Sequence, residues 1–400
     1  MTFVLVAAVA ALITWIASRA VLALALRYRI HPPVRERDVH SRPTPRLGGV
    51  AMLIGVLAAF GVAWLIPELA PVFAEPVRIW ALLGAAVAIC LVGIVDDLVD
   101  LDWMLKLGAQ VLVATLVAVL GVQIVSLPIG GITVGSSTMS IALSVLIIVL
   151  VMNAVNFIDG LDGLVASTTI IGSAAFFGYI LMISGNLGQQ NAFFSLASLI
   201  TATIIGVCIG FLPVNWHPAR MFMGDGGALM LGLLTAASAI AVTGQIDIGT
   251  MGGRSQILPA FIPVLLPLAI LLLPITDFAL AVLRRLANGS SPFAADRKHL
   301  HHRLLDMGHS HLGAVLIFAA WTAVVSVGCL LFLLVPWWVA VGIMVLGFVV
   351  CAILTAAPVS ARVWRTFLRV MRERRAARAS TRSSTPSSTE TSTESQGGRP

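Results

Sequence analysis

Eleven long apolar runs constrain what this 400-residue chain can fold into. They lie at 2–26, 48–66, 79–95, 104–121, 139–155, 163–184, 191–211, 226–244, 257–283, 313–334 and 337–357. A helix crossing the hydrocarbon core needs about 20 mostly apolar residues, and it must satisfy its own backbone hydrogen bonds there. Hydrophobic residues make up 58% of the chain and charged residues 11%, against about 25% charged in an ordinary soluble domain. A soluble globular enzyme is therefore excluded. The predicted fold is an all-α polytopic integral membrane protein of about eleven spans. The ninth run carries Pro259, Pro263, Pro267 and Pro274 and is expected to be kinked or broken. Within 122–138, two β-prone runs flank Gly130-Gly131 and predict a small outer hairpin.

Arginines orient the bundle. No basic stretch precedes the first run, and Arg27, Arg29, Arg35, Arg37, Arg42 and Arg46 follow it. That order opposes a cleaved signal peptide and predicts a retained helix. With this loop inside, the inner loops and tail collect nearly all 25 basic residues, leaving Arg78 and Arg254 outside. The prediction is N-out, C-in, in a bacterial plasma membrane with its polar loops facing the cytoplasm. The net charge of +7 is thus an orientation signal, and no nucleic-acid partner is predicted. Residues 1–357 form the expected transmembrane catalytic domain. In 358–379, Val363, Trp364, Phe367, Leu368 and Met371 share one face of an arginine-rich amphipathic helix suited to an anionic leaflet. Residues 380–400 have a disordered composition. Cys90, Cys208, Cys329 and Cys351 each lie in an apolar run and read as packing residues.

Charge is costly in lipid, so the placement of carboxylates is informative. Asp96, Asp97, Asp100, Asp102, Asp159, Asp162, Asp225 and Asp277 all fall at the predicted inner mouth. Asp96-Asp97-x-x-Asp100 suits a hard cation such as Mg²⁺, and suits a solvated helix cap equally well. Asn153-x-x-Asn156-x-x-Asp159-Gly160-Leu161-Asp162-Gly163 puts polar groups on one slowly turning stripe. A polar interhelical seam accounts for the asparagines but needs neither the carboxylates nor the glycines. Asp225 in Met223-Gly224-Asp225-Gly226-Gly227 stands at a glycine-rich helix start, where phosphate binding and a plain N-cap are the two readings. His299, His301 and His302 with Arg297, Lys298 and Arg303 favour an anion over a transition metal. Arg42 and Thr44 in the 40–49 segment offer a lipid phosphate basic and hydroxyl groups, or serve only topology. Acidic and basic loops on one face fit phosphoryl transfer.

In their order and chemistry, these motifs resemble the polyprenyl-phosphate N-acetylhexosamine-1-phosphate transferases. The resemblance rests on D-D-x-x-D at 96–100, N-A-V-N-F-I-D-G-L-D-G at 153–163, G-D at 224–225 and H-L-H-H at 299–302. It implies transfer of a sugar-1-phosphate from a UDP-sugar to a polyprenyl phosphate, with release of UMP and a need for Mg²⁺ or Mn²⁺. By resemblance, Asp225 is a metal ligand, Asp96 the base, and Asp97 positions lipid phosphate or metal. Asn153, Asn156, Asp159 and Asp162 line the nucleotide and diphosphate site. His299, His301, His302 and Arg303 hold the diphosphate or sugar end. The branch acting on UDP-MurNAc-pentapeptide, that of MraY, tends to carry H-H-H where this chain has H-x-H-H. That difference places the chain with the WecA-type branch using UDP-GlcNAc, at the first membrane step of a cell-wall linker or surface polysaccharide. A homodimer is compatible with this reading. The rival class, a secondary transporter, would place its coupling charges nearer the bilayer midplane.

Overall fold

The computed structural model describes residues 1–30, 44–124, 136–187, 192–243, 286 and 300–357. The chain divides into a unit of Met1–Ala352 and a second of Ile353–Pro400, and the architecture below is that of the first. The described helices are α1 (Thr2–Tyr28), α2 (Gly48–Trp64), α3 (Pro76–Val99), α4 (Trp103–Val119), α5 (Ser137–Ile158), α6 (Leu164–Leu187), α7 (Ala192–Asn215), α8 (Gly224–Val242), α9 (Leu300–Met307), α10 (His311–Leu334) and α11 (Trp337–Ala357). A 3₁₀ stretch, Pro67–Ala74, follows α2 after a bend of 108°.

Ten of the eleven predicted spans coincide with helices. The ninth run with its four prolines, Asp277, the tip of the outer hairpin at 125–135, and the segments 358–379 and 380–400 lie outside the described residues. Eight helices are long and apolar enough to cross a membrane, or nine if α2 and its bent 3₁₀ continuation form one span. α4, with 17 residues, is a shorter apolar helix. At 1.5 Å per residue it covers roughly 26 Å of a core about 30 Å thick. The protein is a helical multi-pass membrane protein, with no strand among the described residues. All four cysteines are buried, and none forms a disulfide.

Almost wholly buried, α8 forms the centre of the bundle, packed on α2, α3, α5 and α7. α1 lies along α2 and α7, α4 bridges α3 and α5, and α6 joins α7 to α10. Lipid cannot drive apolar helices together as water does, so close backbone approach and van der Waals contact hold them. Small residues allow that approach at the centre. A Cβ on Gly93 of α3 would overlap the backbone of Asp225 and Gly226, and one on Gly49 of α2 would overlap Gly226 and Gly227. α2 and α3 are thereby seated against the first turn of α8.

Helix ends are satisfied locally. Asp102 accepts from Met104 N at 2.9 Å to cap α4, Ser136 accepts from Met139 N at 3.2 Å to cap α5, and Ser310 accepts from Gly313 N at 3.0 Å to cap α10. Alternation of helix direction gathers the C-terminal ends of α3, α5 and α7 with the N-terminal ends of α2, α4, α6, α8 and α10. All of the polar motifs within the described residues lie at that one end.

Candidate active site

α3 runs four residues past its predicted end, so Asp96 and Asp97 occupy its last turn instead of the loop beyond. The C-terminal end of a helix is electronegative, and two carboxylates there require cations and N–H donors. Lys106, from the first turn of α4, places Nζ 2.8 Å from Asp96 Oδ2 and also bonds Asp225 Oδ2. Asp96 Oδ1 accepts from Leu101 N at 2.9 Å. Asp97 turns the other way: its Oδ2 accepts from Asp225 N at 2.8 Å and its Oδ1 lies 3.6 Å from Arg46 Nη1. Asp97 thus caps the start of α8 from a neighbouring helix. Gly224, with φ +66°, turns the chain there, and a Cβ would collide with Asp97 and the Arg46 carbonyl.

Asp225 is not a plain N-cap. It sits in the first turn of α8 with its carboxylate aimed at α4 and α5, where Oδ1 accepts from Asn156 Nδ2 at 2.9 Å. Asn153, one turn deeper, pairs its side-chain amide with Gln110 of α4 and donates to Val149 O at 2.8 Å. The polar stripe of α5 therefore begins as an interhelical seam at Asn153 and reaches the carboxylates at Asn156. Asp159 ends α5. Burial, then the charges of Asp225 and Asp97, push its carboxyl up to about 8.

Asp162, whose side chain is wholly buried, anchors a second group of residues. Its Oδ2 lies 2.8 Å from His217 Nδ1, accepts from Ala219 N at 3.0 Å, and is 3.8 Å from His311 Nε2. The Asp162 N–H donates to His311 Nε2 at 3.0 Å, and the two imidazoles stack at 4.3 Å. Asn215 completes the join, accepting from Gly163 N at 3.0 Å and donating to Met221 O at 3.1 Å. One atom each of Asp162, His217 and His311 lies within 4.8 Å of the others, a group able to hold a metal ion. The Asp162 N–H already engages the His311 lone pair, so the arrangement also closes as a hydrogen-bonded clamp. It fixes the loop 216–223 that delivers Asp225. The segment before α2 pairs with that loop, with Phe222 N donating to Pro45 O at 2.9 Å and Gly48 N to Phe222 O at 3.0 Å.

Of the predicted site residues, Asp96, Asp97, Asn156, Asp159 and Asp225 form one cluster. Asn153 adjoins it through the seam, and Asp162 adjoins it through the clamp and the charge it exerts on Asp159. Thr44 is buried beside the segment that carries Arg46. Arg42 and His299 lie outside the described residues. His301, His302 and Arg303 belong to α9, just before the α10 terminus that carries His311. Lys106, Asn215, His217 and His311 are not among the predicted site residues, whereas Arg46 belongs to the 40–49 segment read as a lipid-phosphate candidate. For Lys106 the available signal is its spacing from Gln110, one turn away on the same face of an apolar run; polar residues in such runs are functional candidates.

The cluster fits a hard divalent cation. Its donors are carboxylate and amide oxygens, and an ammonium group already lies between Asp96 and Asp225. Asp96 shares Lys106 with the Asp225 carboxylate, while Asp97 accepts from the Asp225 backbone N–H.

Residues 79–243 match glycosyl transferase family 4, a segment that runs from α3 to α8 and holds Asp96, Asp97, Lys106, Asn156, Asp159, Asp162, His217 and Asp225, while Arg46 and His311 lie outside it. The chain is 38% identical to the decaprenyl-phosphate N-acetylglucosaminephosphotransferase of Mycolicibacterium smegmatis, over 81% of this chain and 80% of that protein. It is 33% identical to the probable undecaprenyl-phosphate N-acetylglucosaminyl 1-phosphate transferase of Bacillus subtilis, over 70% and 71% of the two chains. A phospho-N-acetylmuramoyl-pentapeptide-transferase of Desulforudis audaxviator is 31% identical over 62% of this chain and 79% of its own.

Proposed function

The chain belongs to glycosyl transferase family 4, and on that premise we propose that it transfers N-acetylglucosamine-1-phosphate from UDP-GlcNAc to a membrane polyprenyl phosphate, decaprenyl or undecaprenyl. UMP leaves and polyprenyl-diphosphate-GlcNAc forms. The observation that carries this reading is the convergence of Asp96, Asp97, Asp225, Asn156 and Lys106 at one end of the bundle, in a chain whose relatives bear transferase names for that reaction. Greater identity to the N-acetylglucosamine enzymes than to the muramoyl-pentapeptide enzyme favours GlcNAc as the sugar.

A lipid-phosphate oxygen attacks the sugar-bearing phosphorus of the donor. The bond from that phosphorus to the bridging oxygen breaks, and its electron pair leaves with UMP. Both reactants are anions, so catalysis consists mainly of bringing them together and neutralising their charge. Asp225 and Asp96 would hold Mg²⁺ or Mn²⁺, which supplies charge neutralisation on the diphosphate when bound. Arg46, beside Asp97, attracts the lipid phosphate, and Asp97 accepts its remaining proton. Asn156 fixes Asp225, and the Asp162–His217–His311 clamp holds the loop that sets its position. His301, His302 and Arg303 meet the diphosphate or sugar end.

The reactive end faces the cytoplasm in this proposal, since Arg27, Arg29, Arg46 and Arg220 sit at that end and Arg78 at the other. Purified protein given decaprenyl phosphate and Mg²⁺ should release UMP from UDP-GlcNAc. Release only from UDP-MurNAc-pentapeptide would reassign the donor, and release from neither would refute the reading.

A further inference from the structure

Only two of the 25 basic residues are lysine, Lys106 and Lys298. Lys106 stands where the reaction needs a cation. Both oxygens of Asp225 are engaged, Oδ1 by Asn156 and Oδ2 by Lys106. Those of Asp96 are engaged by Leu101 N and Lys106. A metal ion entering between the two carboxylates therefore meets an ammonium group already in place. Two cations at contact distance repel strongly where water is scarce. An ammonium on a flexible four-carbon stem can leave such a place and pair elsewhere, whereas a guanidinium is planar and binds carboxylates in a rigid fork.

We propose that Lys106 is an exchangeable counter-ion. It fills the gap between Asp96 and Asp225 until a divalent cation displaces it, and it then turns to the phosphate groups of the incoming nucleotide diphosphate. The apo site is thus kept neutral enough to sit at the membrane, and cation and nucleotide favour each other's binding through one side chain. The inference rests on the reading that Asp225 and Asp96 bind the metal.

Two measurements on the full-length protein in detergent test it. Mn²⁺ affinity, read from the free-ion EPR signal without nucleotide, should tighten about tenfold or more in Lys106→Met. It should tighten clearly less in Arg46→Met, which removes a nearby charge that does not lie between Asp96 and Asp225. Should Lys106→Met fail to fold, wild-type protein serves alone. An amine-acylating reagent followed by mass spectrometry should modify Lys106 slowly in the apo protein, faster with saturating Mg²⁺, and slowly again once UDP is added, with Lys298 as the internal reference. Equal tightening in both variants, or unchanged Lys106 labelling with Mg²⁺, overturns the proposal. UMP release by wild-type protein is assayed in parallel. Turnover without these Lys106 effects refutes the counter-ion alone, and Lys106 effects without turnover refute the transferase reading alone.

Discussion

At the scale of single residues, the site is a set of charges whose neighbours decide their state. Asp159 is the clearest case outside the spans. Its carboxyl is raised to about 8 in the folded protein, against about 4 for a free aspartate. Between those values the folded chain keeps a proton that the unfolded chain has lost. The stability this group contributes is therefore full at acid pH and is lost as pH rises through about 8. In metal-free protein, Asp159→Asn should flatten the fall in melting temperature between pH 6 and pH 9 relative to wild type; parallel curves would contradict the assignment. The same neighbours explain which residues could be read from sequence. Asn156, Asp159 and Asp225 were visible because their spacing and glycines depart from a plain apolar helix. Lys106 was overlooked because a basic residue near the start of a span also serves topology. His217 and His311 are 94 residues apart, and only the fold stacks them.

At the scale of elements, the site depends on how closely α3 meets α8. Gly93 touches the backbone of Asp225 and Gly226, while Gly84 on the same helix faces open space. Gly93→Ala should wedge α3 away from the first turn of α8, weaken the bond from Asp225 N to Asp97, and cost about 1–3 kcal/mol in overpacking. A lower melting temperature and lost UMP release are expected for Gly93→Ala, with Gly84→Ala indistinguishable from wild type. Equal behaviour of the two would show that this contact does not position the site. Apolar runs located ten helices from sequence because lipid demands length and hydrophobicity together. Their ends were harder to place. Asp96, Asp97 and Asn156 continue their helices past the apolar boundary, since partners on other helices satisfy them there.

At the scale of the whole molecule, alternating helix direction gathers segments far apart in sequence at one mouth. The arginine asymmetry predicts that this mouth faces the cytoplasm. Glu75→Cys, at the opposite end, should react with a membrane-impermeant maleimide in intact cells, and Arg220→Cys only after permeabilisation; the reverse pattern would invert the topology. The central claim is that Asp225, brought to Asp96, Asp97 and Lys106 by packing, organises divalent-dependent phosphoryl transfer. Its most direct test is a Mg²⁺ titration of UMP release from UDP-GlcNAc and decaprenyl phosphate by wild-type and Asp225→Asn proteins of matched melting behaviour. Wild-type turnover should rise with Mg²⁺ while Asp225→Asn stays at background at every concentration. Wild-type rates in Asp225→Asn would contradict the account.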